Sequence, residues 1–167
     1  MVQAFGGEKE DWDVIKSSPR PGIEAVDGSV DPWDQVLAIS ETNMALPENY
    51  EGIQEYLDLE NMIDWLLVNF YNGNSDWDTN NWQAGRLRGE GETFKFFTWD
   101  SERTLLGPTV NNTTKNNAGR ATGVHQKLRA NADYRLLFAD RIHRHFFNSG
   151  ALTPPSVAAT FQGFVDE

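Results

Sequence analysis

The stretch Asn74-Ser75-Asp76-Trp77-Asp78-Thr79-Asn80-Asn81-Trp82 joins the most strongly periodic helix of the chain to a predicted β-hairpin. Upstream of it, Leu59, Met62, Ile63, Leu66, Leu67 and Phe70 recur at three- and four-residue steps, which predicts a helix over 58–69 with one buried face and Asp58 as its cap. Tyr71-Asn72-Gly73-Asn74 ends it, since Asn and Gly tolerate the left-handed backbone that stops helices. Downstream, Trp82 to Arg88 and Thr93 to Trp99 read as extended runs, and the glycines of Gly89-Glu90-Gly91-Glu92 permit a reversal between them. A hairpin returns the chain to its starting point, so Asn81 and Asp100 are expected at one end of it. Asp76 lies five positions before Asn81, in the loop presented to that same end.

Helix, Asp-x-x-x-x-Asn, hairpin, Asp is the order of parts in a protein kinase active site. There one Asp receives the proton of the substrate hydroxyl, while an Asn and a second Asp hold the magnesium that bridges the nucleotide phosphates. The residue types follow from the chemistry. Hard magnesium prefers oxygen ligands, and the carboxylate that orients the hydroxyl must be left free of metal. The spacing by itself is weakly specific, because Asp and Asn also build ordinary turns. Asn74-Ser75 stands where many kinases have His-Arg, no Phe-Gly follows Asp100, and neither a glycine-rich nucleotide loop nor a paired Lys and Glu is evident upstream.

Asn74 to Trp82 resembles the Asn-x-Asp-Trp-x-x-x-Asn-aromatic signature of the spore coat CotH kinase family, and Thr98-Trp99-Asp100-Ser101-Glu102 is similar to its Pro-Trp-Asp-x-Asp segment. Leu57 to Asp64 and Phe138 to His143 extend the resemblance over roughly residues 30 to 160. It implies that Asp76 is the catalytic Asp, Asp100 a metal-binding Asp and Asn81 a second metal ligand. Glu102 stands in place of the family's usual second Asp and is a third expected ligand; Thr98 replaces its Pro. The resemblance further implies an α+β fold, mostly helical and like the C-terminal lobe of an atypical protein kinase, with the hairpin between catalytic and metal-binding loops. ATP and Mg2+ are the implied cofactors, and a cell-surface, spore-coat or secreted setting the implied location. The family's N-terminal, nucleotide-covering lobe is expected to precede Met1, so residues 1–167 read as a single domain or fragment.

Working outward, residues 1–32 mix Gly, Ser, Pro and acidic residues without a sustained period and are expected to be irregular. Helices are predicted at Trp33–Thr42, with Asp31 as cap and Pro32 in its first turn, at Tyr50–Tyr56, at Gly123–Ala130, at Asp133–Phe147, and briefly after Thr153-Pro154-Pro155. In the Asp133–Phe147 segment, Leu136, Leu137, Ala139, Ile142 and Phe146 are expected on one side. Seven of the nine residues from Asn111 to Gly119 are Asn, Thr or Gly, which predicts an exposed, mobile loop.

A net charge of −11 with scattered Lys and Arg excludes nucleic acid as a good partner and favours a basic, Ser/Lys/Arg-rich protein substrate. Without cysteine there is no disulfide, thiolate metal site or thiol nucleophile. No apolar run reaches the ~20 residues of a membrane helix, and Met1 to Asp11 lacks the features of a signal peptide.

Trp77, Trp82 and Trp99 fall around the site. Trp82 and Trp99 are the candidate rings for the nucleotide, with core packing at strand ends as their competing role, and Trp77 is expected to be the more exposed. Asp76-x-Asp78-x-Asn80 copies three positions of a calcium loop, but Asn81 and Leu87 stand where that loop needs Gly and Glu. His125, His143 and His145 lack zinc spacing and read as helix-surface or capping residues, and Arg141 and Asp140 as ion-pairing residues between helices. Two functions follow: magnesium-dependent transfer of the ATP γ-phosphoryl group to Ser or Thr of a protein, or a non-catalytic pseudokinase or carbohydrate-binding scaffold module.

Overall fold

The computed structural model describes residues 6–18 and 22–166. Among them are six α-helices and one four-stranded antiparallel sheet, an α+β fold. The strands are β1 (Trp12–Ser17), β2 (Ile23–Asp27), β3 (Trp82–Leu87) and β4 (Lys95–Thr98), in the order β2-β1-β3-β4. The helices are α1 (Asp31–Ser40), α2 (Pro47–Gln54), α3 (Leu59–Tyr71), α4 (Ala121–Leu128), α5 (Ala132–Phe146) and α6 (Pro154–Val165). No helix among the described residues is long and apolar enough to cross a membrane.

The predicted hairpin is present as β3 and β4, with Trp82 opposite Thr98 and Gly85 opposite Lys95. It lies on α3, as expected. Asp58 caps that helix by accepting the Asn61 N–H at 3.0 Å, and it also holds Lys95 of β4 at 3.0 Å. The Asn61 side-chain oxygen accepts the Phe96 N–H at 2.6 Å, closing the seam between helix and strand.

Residues 1–32 are not irregular throughout. Trp12–Ser17 pairs with Ile23–Asp27 on one side and with β3 on the other, Ile15 lying opposite Ala84 and Val14 opposite Gly85. The strand escapes a pattern search because two of its buried positions are polar. Asp13 is 6% exposed and takes Arg88 Nε at 2.9 Å and the Ser29 N–H at 3.0 Å. Ser17, 5% exposed, gives its hydroxyl to the Asp78 carbonyl at 2.9 Å.

An aromatic cluster fills the space between sheet and helices. Trp33 of α1 and Trp65 of α3 both meet Trp82 of β3, at centroid distances of 5.9 and 5.7 Å, and Trp65 stacks on Phe96 of β4 at 4.7 Å. Each such pair adds about 0.5–1.5 kcal/mol beyond the area buried, so the hairpin has a well-packed base. In α5 the inner face is Tyr134, Leu137, Phe138, Ile142 and Phe146; Leu136 and Ala139, expected inside, are exposed. Arg141 does join helices, pairing with Asp64 and Glu60 of α3, and His145 adds a bond to Asp64 at 2.9 Å. Burial alone would raise the Asp64 carboxyl, but hydrogen bonds from Arg141 and His145 outweigh it and hold the pKa below the ordinary value.

Candidate active site

The site begins where α3 ends. Asn69, buried in the last turn, donates to the Trp65 carbonyl at 2.9 Å and accepts from the Asn74 amide at 3.0 Å. The Asn74 oxygen in turn accepts the Asp76 N–H at 3.2 Å. Two buried asparagines, Asn69 and Asn74, therefore set the backbone of Asp76. The Asp76 carboxylate is half-buried and accepts the Asn81 amide at 3.1 Å. That bond uses the nitrogen of the Asn81 side chain and leaves its oxygen for a cation.

Asn81 has φ +57° and Asp100 φ +50°, the left-handed region in which Asn and Asp are the least penalised residues with a side chain. Because Trp82 faces Thr98 across the ladder, Asn81 and Trp99 leave the sheet at one end, with Asp100 the next residue. The segment beyond Asp100 is stitched back to the end of α3. The Ser75 N–H meets the Arg103 carbonyl at 3.0 Å, and the Leu105 N–H meets the Asn72 carbonyl at 2.7 Å. Asp100 and Glu102 themselves are exposed, and among the described residues Glu102 makes no hydrogen bond or ion pair.

The tryptophans divide differently from expectation. Trp77 is 2% exposed, edge-on to Trp65 at 5.1 Å and to Phe70 at 5.7 Å, so the expectation of an exposed ring fails: the loop turns Asp76 outward and Trp77 into the core. Trp82 is 1% exposed and its indole N–H bonds the Asp78 carbonyl at 2.7 Å, leaving it a core residue with no free face. Trp99 is 57% exposed. It borders a polar cleft of about 180 Å³ with Lys16, Ser17, Asn80, Asn81 and Gln83.

Asp78 is fully buried. Its carboxylate accepts Asn117 Nδ2 at 2.5 Å and the Thr122 N–H at 2.9 Å. Arg120 reaches the same corner, donating to Ser17 Oγ at 2.7 Å and to the Ser18 carbonyl at 2.6 Å. With both carboxylate oxygens engaged, Asp78 is not available as a calcium ligand, and the calcium-loop alternative fails. Of its partners, Thr122 lies in the first turn of α4 and Asn117 in the 111–119 segment, which is largely exposed as expected but tied down by specific bonds. Asn112 donates to the Asn74 carbonyl at 2.5 Å, and the Trp33 indole N–H reaches the Gly119 carbonyl at 3.4 Å. Gly123 lets this segment close onto α4, since a Cβ there would stand 2.5 Å from the Asn117 carbonyl oxygen.

His143 is exposed on its helix as expected, but His125 is not. His125 is 4% exposed, bonded to the Tyr134 hydroxyl at 2.7 Å, and burial, aided by Arg129, pushes its pKa down to about 4. It is a core residue of an apolar groove between α3, α4 and α5.

The profile of a described family, CotH kinase protein, matches residues 8–148. The chain belongs to the CotH kinase family. Comparison with curated proteins and with solved structures gives no match. CotH membership brings kinase-type chemistry into view, with ATP, magnesium and a protein acceptor as the general reactants of that class. Among the described residues there is no cluster of three acidic or His side chains for a metal. Kinase magnesium does not require one, being held by one or two carboxylates, amide oxygens and the nucleotide's own phosphates. The all-oxygen set of Asp100 and Asn81, at one end of the hairpin, fits a hard ion of that kind.

Proposed function

We propose that this chain carries the catalytic residues of a protein Ser/Thr kinase. The acceptor hydroxyl oxygen bonds to the γ-phosphorus of ATP while the bond to the bridging oxygen breaks. ADP leaves with that electron pair and the hydroxyl proton passes to Asp76. Asp100 and Asn81 would hold magnesium, with Glu102 as a peripheral carboxylate, and bound magnesium would neutralise phosphate charge. Trp99, the exposed ring beside the polar cleft, is the candidate surface for the nucleotide base. A basic protein suits the net charge of −11.

The observation that carries this reading is the bond from Asn81 to Asp76. It sets the second Asp76 carboxylate oxygen and the Asn81 amide oxygen side by side, the two functions that phosphoryl transfer separates. The scaffold alternative, which relied on tryptophans for sugar binding, is left with Trp99 alone, since Trp77 and Trp82 are core residues.

The test is the division of labour between two aspartates. Asp76→Ala should leave Mg·ATP binding nearly intact and lower turnover ~10²–10⁴-fold, the range for a lost acid/base group. Asp100→Ala should weaken magnesium-dependent nucleotide binding, measured by calorimetry. Activity that survives both substitutions would mean that the site is elsewhere.

A further inference from the structure

Lys115 sits between the two anchors of the 111–119 segment. Three residues before it, Asn112 is tied to the Asn74 carbonyl at 2.5 Å; two residues after it, Asn117 is tied to the Asp78 carboxylate at 2.5 Å. Its own backbone is fixed as well, the N–H to the Asn112 carbonyl at 3.1 Å and the carbonyl to Gln126 Nε2 at 3.1 Å. From this rigid arch the side chain reaches over the face of Trp77, with Nζ 5.3 Å from the ring centroid. Trp77 is the residue between Asp76 and Asp78, so the ammonium is delivered to the catalytic loop from a segment more than thirty positions away.

Among the described residues Lys115 makes no ion pair, whereas Lys16 is matched with Glu24 at 3.1 Å and Lys95 with Asp58 at 3.0 Å. Burial lowers the pKa of Lys115, and attraction to Asp78 and then Asp76 works against that. A half-buried ammonium is costly without an anion. The reaction has the converse need: the anionic carboxylate of Asp76 must stand beside an anionic phosphoryl group, and a cation between them removes the repulsion.

We propose that Lys115 binds the γ-phosphoryl oxygens beside Asp76, as a phosphate-binding residue supplied by the 111–119 segment. This rests on the kinase reading above. The role is distinct from a packing role on Trp77, since it requires Nζ to distinguish ATP from ADP.

The experiment is calorimetric titration of the full chain with Mg·ATP and with Mg·ADP for the native protein, Lys115→Met and Lys115→Arg. Lys115→Met should lose about tenfold or more in ATP affinity at unchanged ADP affinity, and turnover should fall by ~10²–10³, as for a lost transition-state donor. Lys115→Arg should recover most of both. Equal losses for the two nucleotides, or none, would overturn the proposal while leaving the kinase reading intact. If the native chain binds neither nucleotide, the kinase reading falls and this one with it. A second measurement needs no variant: amine-reactive labelling of Lys115, mapped by mass spectrometry, should be slowed by Mg·ATP and not by Mg·ADP. Equal labelling rates in the two would sink the idea.

Discussion

The two loops proposed to form the site are built in opposite ways. Residues 74–81 are held chiefly through two side chains: Asn74 bridges Asn69, Asn112 and Asp76, and Asp78 is fully buried among Asn117, Thr122, Ser17 and Trp82. Residues 99–102 leave the hairpin with Trp99, Asp100 and Glu102 all exposed; Ser101 Oγ takes a long bond from the Asn74 amide at 3.5 Å, and the closer ties come further along, at Arg103 and Leu105. The difference matches the jobs proposed for them. A carboxylate that orients a hydroxyl must not move, because small misplacements cost large factors in rate. A carboxylate that binds an ion arriving with the nucleotide must stay open to solvent until then.

The largest test of this contrast is Asp78→Ala. It strips a buried charge from its partners and leaves Asn117, the Thr122 N–H and Arg120 uncompensated, so urea unfolding should show about 3–5 kcal/mol of destabilisation, the scale for breaking a buried pair. A change within ~0.5 kcal/mol, the usual value for exposed positions, would show that the loop is held by something else.

Next in size is a pH effect centred away from both loops. His125 binds its proton at about 4 when folded and near 6.5 when unfolded. Its folded pKa is depressed, so the unfolded state binds more protons between those values and stability falls as pH drops through that window. By pH 4 the loss should be about 3 kcal/mol. Asp64, also depressed, adds its loss at lower pH, below the ordinary carboxylate value. In His125→Gln, which keeps an acceptor for the Tyr134 hydroxyl, the slope from pH 6.5 to 4 should flatten. An unchanged slope would place the titrating group elsewhere and would oblige any acid loss of activity to be sought in the two loops.

The smallest effect is Asn112→Ala. Losing its bond to the Asn74 carbonyl should cost about 1 kcal/mol, yet turnover should fall more than nucleotide affinity because Asn74 positions Asp76. Parallel losses in both would erase the distinction between the two loops.

The sequence made parts of this arrangement legible and hid others for definite reasons. The helix over Leu59–Tyr71 and the hairpin after it show because their apolar spacing, their cap at Asp58 and the glycines between the strands are local signals. Asp76, Asn81 and Asp100 show as a spaced set. The strand Trp12–Ser17 does not, since Asp13 and Ser17 are satisfied by Arg88 and by the Asp78 carbonyl, contacts that no local window contains. The 111–119 segment misleads in the same way: asparagines that suit a solvated loop are here donors to Asn74 and Asp78. Trp77 misleads by its neighbours, two aspartates that suggest water on a ring that lies in the core.

The strand order β2-β1-β3-β4 bears on how the chain comes together. Among these strands β1 has only β2 beside it until Trp82–Leu87 appears, and a lone two-stranded ribbon is marginal in water. The bond from Ser17 to the Asp78 carbonyl spans 61 residues. Contacts of that span close late and slowly, because the entropy of the intervening chain is lost before they contribute. The 74–81 loop therefore acquires its final shape near the end of folding, when β1 docks against it.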